Sequence, residues 1–594
     1  MIFFTKPLLT MQWLRWMVGV CLAFALQVSA RASEVLEPVY LYASPLTTAF
    51  FSANGSDYDT LKTRWRAYLK RFGKSYREVS RADLVGGLKP GVLILGSAVL
   101  LDQSERQAIN DFASRGGSLV LTWGTGVRDG SGRWSGYGFI ENLLKVKVKG
   151  KLEVSDEEHF VNTFGDSPLT WGLPAGTRLF LGLVGETPLR IEGPQLAGRY
   201  FNWSRIPVDK ANNGAIAYLE HGKSRRMFIG FSEASWEFDD RMELPKALDS
   251  MMSWLRREPR VFKAAWPNGE LSAQLLEMDT EDRFPNALNF ARDLDSAGIS
   301  GTFYSLTSVA KSHADIVRQL SDKHEIAYHA EVHVGFKGKS REEQESRLAT
   351  MVEDMKGIVG SRALTRISGF RAPTESWDAN TEQVLRKLGV RHHVADPASS
   401  DSRLPFFSAS EPGLSSEDAI VVLPRTQMDD LNFLALKLGT EAASAMIVRD
   451  FDYLHESGSL GVLSVHSQNY GEGGLMALLT PPYVKRLQEH RHDVWSATGR
   501  EIADWWRSRE RVAVKELGRS VSDKGFQVDV RAPGVMKGLT LIVTHPSATQ
   551  PLKAVVSGRA DQPKPQVQRL DDQRSAIIFS EELKPGQYGY SLEF

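Results

Sequence analysis

The chain of 594 residues has one cysteine, Cys21, and no run of apolar residues beyond the N-terminus long enough to cross a bilayer. A lone cysteine excludes an intrachain disulfide and a thiolate metal site. Because Cys21 lies inside an N-terminal apolar stretch, a processed chain would hold no thiol and no cysteine nucleophile. A charge excess is lacking too: Lys+Arg and Asp+Glu both number 72, so the broad positive field of a nucleic-acid binder is absent. Repeats and low-complexity tracts are also missing, which excludes a solenoid. The length is too great for one core and predicts several domains.

Lys6 and Arg15 precede the apolar stretch Trp16 to Val28, and Ala30-Arg31-Ala32 follows. This order reads as a secretory signal over residues 1–32, cleaved after Ala32. It predicts an exported protein, periplasmic or extracellular, with no integral membrane span after cleavage.

Residues 33–260 alternate apolar strand runs with helical patterns. Val39–Tyr42, Gly91–Leu95 and Ser118–Thr122 read as buried strands, a helix is expected near 57–72, and Asp102 with Glu105 reads as a capping box. Further strands are expected around 178–184, 214–219 and 226–231, then a helix near 241–257. The pattern predicts a parallel, flavodoxin-like α/β domain. The layout resembles the class I glutamine amidotransferases. Their nucleophile is a cysteine on a glycine turn, and here that turn reads Trp123-Gly124-Thr125-Gly126, so amidotransferase chemistry is excluded. Residues 258–270 read as a linker, 265–510 as a second α/β region, and 512–594 as a small β-sandwich, from runs such as Phe526–Val530 and Leu539–Val543.

The second α/β region carries the chemistry. Glu277-Met278-Asp279-Thr280-Glu281-Asp282 places acids at the end of an apolar run, where α/β and barrel enzymes keep their sites. His329 and His333 are four residues apart, and two imidazoles with one carboxylate leave room for water and substrate on a shared ion. Arg371 in Gly369-Phe370-Arg371-Ala372-Pro373 can hold a carboxylate in fixed geometry. His466 ends the apolar run Val462–Val465, as a general acid can. Taken singly, each pattern is more often a cap, a surface histidine, an ion pair or a core histidine. Their order within one region decides.

That ordered set resembles the polysaccharide deacetylase family (NodB homology, carbohydrate esterase family four). His324-Glu325-Ile326-Ala327-Tyr328-His329 is similar to the family's histidine-bearing strand, and Gly301-Thr302-Phe303-Tyr304 to the strand before it. The resemblance implies an irregular (β/α) barrel and a divalent metal, zinc first, with cobalt, nickel or manganese as substitutes. It also implies roles for residues. Asp279 is the catalytic base, His329 and His333 bind metal, Arg371 orients the base and His466 is the acid. Thr280 stands where the common motif has its metal-binding aspartate. Glu281 is therefore expected at the metal, with Asp282 as its substitute. The acid that supports His466 is either Asp396 or Asp401. Pro373 and Trp377 are expected beside the substrate, although Trp377 is equally suited to core packing. The implied substrate is an acetylated amino-sugar polymer, in the exopolysaccharide pathway or in peptidoglycan. The implied reaction is removal of its N-acetyl groups, and the outer domains would meet the polymer or an export partner. A glycan-binding pseudoenzyme is the alternative that the altered first motif keeps open.

Overall fold

The computed structural model describes residues 37–152, 160–163, 167–173, 177–182, 187–201, 213–236, 243–395, 403–408, 413–517, 525–531, 534–546, 553–556 and 562–594. The expected signal 1–32, and both Asp396 and Asp401, lie outside the described residues. Among the described residues, no helix is long and apolar enough to cross a membrane.

In the N-terminal region five parallel strands stand side by side: Tyr76–Val79, Val39–Tyr42, Val92–Leu95, Ser118–Thr122 and Ser224–Ile229. In chain order this is 2-1-3-4-5, the order of flavodoxin-like doubly wound sheets. The edge strand Tyr76–Val79 went unread because three of its four residues are exposed and give no apolar run. Beyond Ser224–Ile229 the sheet departs from the expected parallel layer. Gly214–His221 returns antiparallel through the turn Gly222-Lys223, with Gly222 at φ 59°, and further antiparallel strands follow. The Asp102–Glu105 capping box forms as expected. In the turn after Ser118–Thr122, the Thr125 hydroxyl is engaged by the carbonyls of Thr122 and Leu95.

The expected linker does more than connect. Val261–Lys263 pairs antiparallel with Leu541–Val543 and so adds a strand to one of two four-stranded C-terminal sheets. Among the contacts that tie the N-terminal region to the rest, three stand out. Asn162 donates to the Tyr453 hydroxyl at 2.8 Å, Arg199 lies 4.2 Å over the Tyr453 ring, and Trp254 donates to Gln573 at 3.0 Å.

Between them lies a curled half-barrel. Its seven parallel strands are β1 (Ser272–Thr280), β2 (Thr302–Leu306), β3 (Glu325–Ala330), β4 (Gly369–Arg371), β5 (His392–Ala395), β6 (Val421–Pro424) and β7 (Leu460–His466), in the order β6-β5-β4-β3-β2-β1-β7. The short strand Val494–Ser496 pairs with the first residues of β1. No backbone ladder joins β6 to β7. The Thr426 side chain spans that seam instead, donating to the Leu460 carbonyl and accepting from Val462 N–H.

Side chains alternate across these strands, as the pleat requires. On β1, Leu276 and Met278 pack with the helices, while Ala273 and Leu275 join an apolar cluster that runs into the sandwich through Trp266, Trp505, Phe526 and Tyr590. The next two side chains on that concave face are Glu277 and Asp279. On β7, Leu463 and Val465 face the helices, and Leu460 and Val462 face the concave cluster, with Ser464 and His466 above. The ladder sets Leu275 beside Val462, Glu277 beside Ser464 and Asp279 beside His466. The concave face thus turns from apolar to polar over four residues, at the C-terminal ends of the strands.

Candidate active site

Asp279, 2% exposed, closes the concave row of β1. Its Oδ2 lies 3.2 Å from Arg371 Nε and 3.5 Å from His466 Nε2. Its Oδ1 is buried and has no hydrogen-bond partner among the described residues.

Below it sits a residue that the sequence reading quoted but gave no role. Glu277 is fully buried, and its Oε1 accepts from both Arg371 Nη1 and the Ser464 hydroxyl. Burial pushes its pKa up to about 7, against the pull of Arg371 and with a push from the Asp279 charge. Arg371, 3% exposed, bridges the two carboxylates, and Glu375 lies 3.8 Å away on its other side. Glu375 in turn pairs with Arg425 at 2.7 Å. Thr374 and Glu375 both hold φ near +50°, so the turn after Pro373 is held in a conformation that L-residues seldom adopt. Pro373 is buried in that turn, and Trp377 packs edge-on against His393, with ring centroids 4.9 Å apart.

The trio expected from sequence at the metal, Glu281, His329 and His333, does converge. A single oxygen, Glu281 Oε1, lies 2.9 Å from His329 Nε2 and 2.8 Å from His333 Nε2. The other oxygen accepts from Gln468 at 2.7 Å, and the Glu281 N–H donates to the Ser467 hydroxyl. Burial opposes the Glu281 charge, but the bond to His329 outweighs it and brings the pKa down to about 2. His329 is buried, and its Nδ1 faces the Arg371 carbonyl at 3.0 Å. With an ion shared between His329 and Glu281, Nδ1 would keep its proton for that carbonyl and Nε2 would turn its lone pair to the ion. A register shift between β2 and β3 accompanies this strand end, where Ala330 takes φ 144° and re-aims the backbone. His333 is 43% exposed on the following loop, which Arg347 braces through Glu331 and the carbonyls of Val334 and Gly335.

Neither Thr280 nor Asp282 joins this group. The Thr280 hydroxyl is spent on the Tyr304 carbonyl and Ser305, and Asp282 points to solvent. The donor set of two imidazoles and one carboxylate fits a divalent ion of the zinc type.

His466 is held by an acid that sequence reasoning missed. Its Nδ1 lies 2.7 Å from Asp430 Oδ1, and its N–H donates to Asp430 Oδ2 at 2.9 Å. Asp430 is wholly buried and also accepts from Asn469. Among the described residues Asp430 fills this role, and the expected candidates, Asp396 and Asp401, lie outside them. Burial disfavours the imidazolium, but the Asp430 bond and the Asp279 charge prevail and raise the His466 pKa to about 9. A sequence cue existed: Asp429-Asp430 follows the apolar run Val421–Leu423 as Asp279 follows Leu275-Leu276.

With this geometry in place, comparison with known proteins gives the class. The family model for polysaccharide deacetylase matches residues 278–393, and this part of the chain is carbohydrate deacetylase-like. No curated protein matches. Among solved structures, a Mycobacterium smegmatis protein assigned as a polysaccharide deacetylase is 21% identical, over 42% of this chain and 94% of its own, with a TM-score of 0.36. The carbohydrate deacetylase Agd3 is 12% identical over 94% of this chain and 99% of its own, with a TM-score of 0.39. A family 4 carbohydrate esterase from Streptomyces lividans, solved with acetate, is 15% identical over 39% of this chain and 93% of its own, with a TM-score of 0.27.

Proposed function

We propose that the chain is a metal-dependent hydrolase that removes N-acetyl groups from an amino-sugar polysaccharide outside the cytoplasm. The observation that carries this reading is the meeting, at the strand ends, of the Glu281–His329–His333 donor set with the Asp279–His466 pair. The two groups share one pocket wall, since donor atoms of Asp279, Glu281 and His466 also lie within 4.8 Å of one another.

Glu281, His329 and His333 would hold the ion, which when bound acidifies water and polarises the amide carbonyl. The remaining work belongs to the chain. Asp279 accepts the water proton on its unengaged Oδ1, while Arg371 keeps Oδ2 in place. His466, kept protonated by Asp430, presents Nε2 on the other side of Asp279 and gives its proton to the departing amine. Glu277, two residues before the base on β1, anchors the far end of Arg371, so the guanidinium is held by two acids of the same strand. Exposed Val332 and Val334 flank His333 and offer an apolar rim to a sugar face.

The N-terminal signal pattern supports action on a polymer of the cell surface or the exopolysaccharide pathway. The outer domains, fastened to the half-barrel, would present it to that polymer. The test is acetate release from β-1,4- and β-1,6-linked N-acetylglucosamine oligomers by metal-stripped and zinc-restored protein, beside Asp279→Asn and His333→Ala. We expect zinc-dependent release that both substitutions abolish. Zinc and glycan binding without release would favour a pseudoenzyme.

A further inference from the structure

At the other end of the half-barrel, about 23 Å of strand below Asp279, three more donor side chains converge. His455 lies in the last turn of helix Thr440–Glu456, His490 follows helix Leu475–Glu489, and Asp493 sits in the turn that enters Val494–Ser496. His455 Nε2 is 3.4 Å from Asp493 Oδ2, and His490 Nδ1 is 3.4 Å from Asp493 Oδ1. The donor atoms of the three residues all lie within 4.8 Å of one another.

Three features separate this cluster from an ordinary ion pair. First, His490 Nδ1 and Asp493 Oδ1 are buried, yet neither makes a hydrogen bond, although they face each other. Buried polar atoms are costly to leave unmatched, and a missing partner between them answers the cost. Second, the spacing suits a shared ion. With metal–nitrogen and metal–oxygen distances of about 2.0–2.2 Å, two corners of a tetrahedron stand about 3.3–3.5 Å apart. Third, the ring that points inward is fixed from outside. The Ser272 hydroxyl engages His455 Nδ1 at 2.7 Å and leaves Nε2 directed at Asp493, as outer-sphere partners of metal-bound histidines do. The C-termini of two helices also meet here, and their dipoles favour a cation.

We propose that His455, His490 and Asp493 form a second divalent-metal site, of the zinc type, that clamps the base of the half-barrel. His492, 72% exposed with Nε2 3.6 Å from Asp493 Oδ2, stands at its mouth and can supply a fourth ligand in place of water. The site's placement gives it a purpose. Helix Thr440–Glu456 leads directly into β7, the strand that ends in His466 and lacks a backbone ladder on its β6 side. An ion joining His455 to Asp493 ties that helix to the turn whose carbonyl receives the N–H of Leu271, at the foot of β1. The clamp therefore fixes the entry of β7 against the foot of β1, the strand whose ladder carries it.

The test uses the full chain, stripped with chelator, reloaded with zinc and counted by elemental mass spectrometry. We expect about two zinc ions per chain in the parent protein and about one each in His333→Ala and Asp493→Asn. His333→Ala protein should still gain thermal stability on zinc addition, and His333→Ala/Asp493→Asn protein should not. Asp493→Asn keeps the side-chain volume, and its remaining zinc reports that the upper site is folded. Asp493→Asn protein that holds as much zinc as the parent overturns the proposal. So does His333→Ala protein that holds none. These counts do not depend on turnover, so a failure of the deacetylase reading would not mimic them.

Discussion

Replacing Asp430 by asparagine isolates the electrostatic hold on His466. Asparagine keeps the shape and an acceptor for the His466 N–H but removes the charge beside Nδ1, 2.7 Å away. The imidazole pKa stands at about 9 against an ordinary 6.5, and burial alone would push it below that value. The net preference for the imidazolium is therefore roughly 3 kcal/mol. Asp430 is the largest contributor on the raising side, with Asp279 second. Its loss should lower the His466 pKa by about one to two units and leave Asp279 as the remaining support. The alkaline limb of kcat should then move from near pH 9 to between about 7 and 8, with a fall of about two- to ten-fold at pH 8. The sign in stability follows from the same shift. His466 is protonated more readily in the folded chain, so its contribution is full below pH 6.5 and fades as pH rises through about 9. The Tm gap between parent and Asp430→Asn should accordingly be wide at pH 6 and narrow above pH 9. The assays are acetate release across pH on zinc-loaded protein and an NMR titration of His466. An alkaline limb that stays at pH 9 in Asp430→Asn would refute the reasoning.

Other substitutions separate neighbouring roles. Glu281→Gln should lose zinc from the upper site and with it the acetate release, whereas Asp282→Asn, at an exposed position, should change neither; elemental analysis beside the activity assay tests both. Glu277→Ala should destabilise by about 3–5 kcal/mol, because it leaves the buried Arg371 short of a partner, and denaturant melts would register this. Trp377→Ala should cost about 2 kcal/mol from lost packing on His393 while KM for oligomers stays unchanged. A KM that rises at unchanged stability would instead assign the ring to sugar stacking.

Much of the site was legible because its residues end strands. Asp279 and His466 each follow an apolar run, Arg371 precedes a proline-stiffened turn, and the pleat then fixes which face they share. Glu281 could be chosen over Asp282 only by the spacing of acids, and the fold makes the reason physical: Glu281 turns back to both histidines while Asp282 leaves toward solvent. The role of Glu277 was hidden by its neighbours. Within Glu277–Asp282 it looks like one acid of several, and only the register with Ser464 shows that it lies beneath the site rather than in it. The N-terminal sheet was read as parallel throughout because an antiparallel strand and a parallel one carry the same apolar pattern when both faces are covered.

Asp430 escaped for a reason that concerns the architecture. The expected candidates for the supporting acid, Asp396 and Asp401, follow β5 in the chain. The curl, however, stops at β6, and the seam to β7 is wide enough for the chain after β6 to fold inward. Thr426 crosses the gap by side-chain bonds to Leu460 and Val462, and the helix Asp430–Leu436 starts directly beyond it. That start places Asp430 against the end of β7, where it holds both the ring and the backbone N–H of His466. The open seam thus supplies the acid that a closed ladder would have kept out. It also leaves β7 with a strand ladder on one side alone, so the position of His466 depends on side chains as well: Thr426 along the seam and Asp430 at its top.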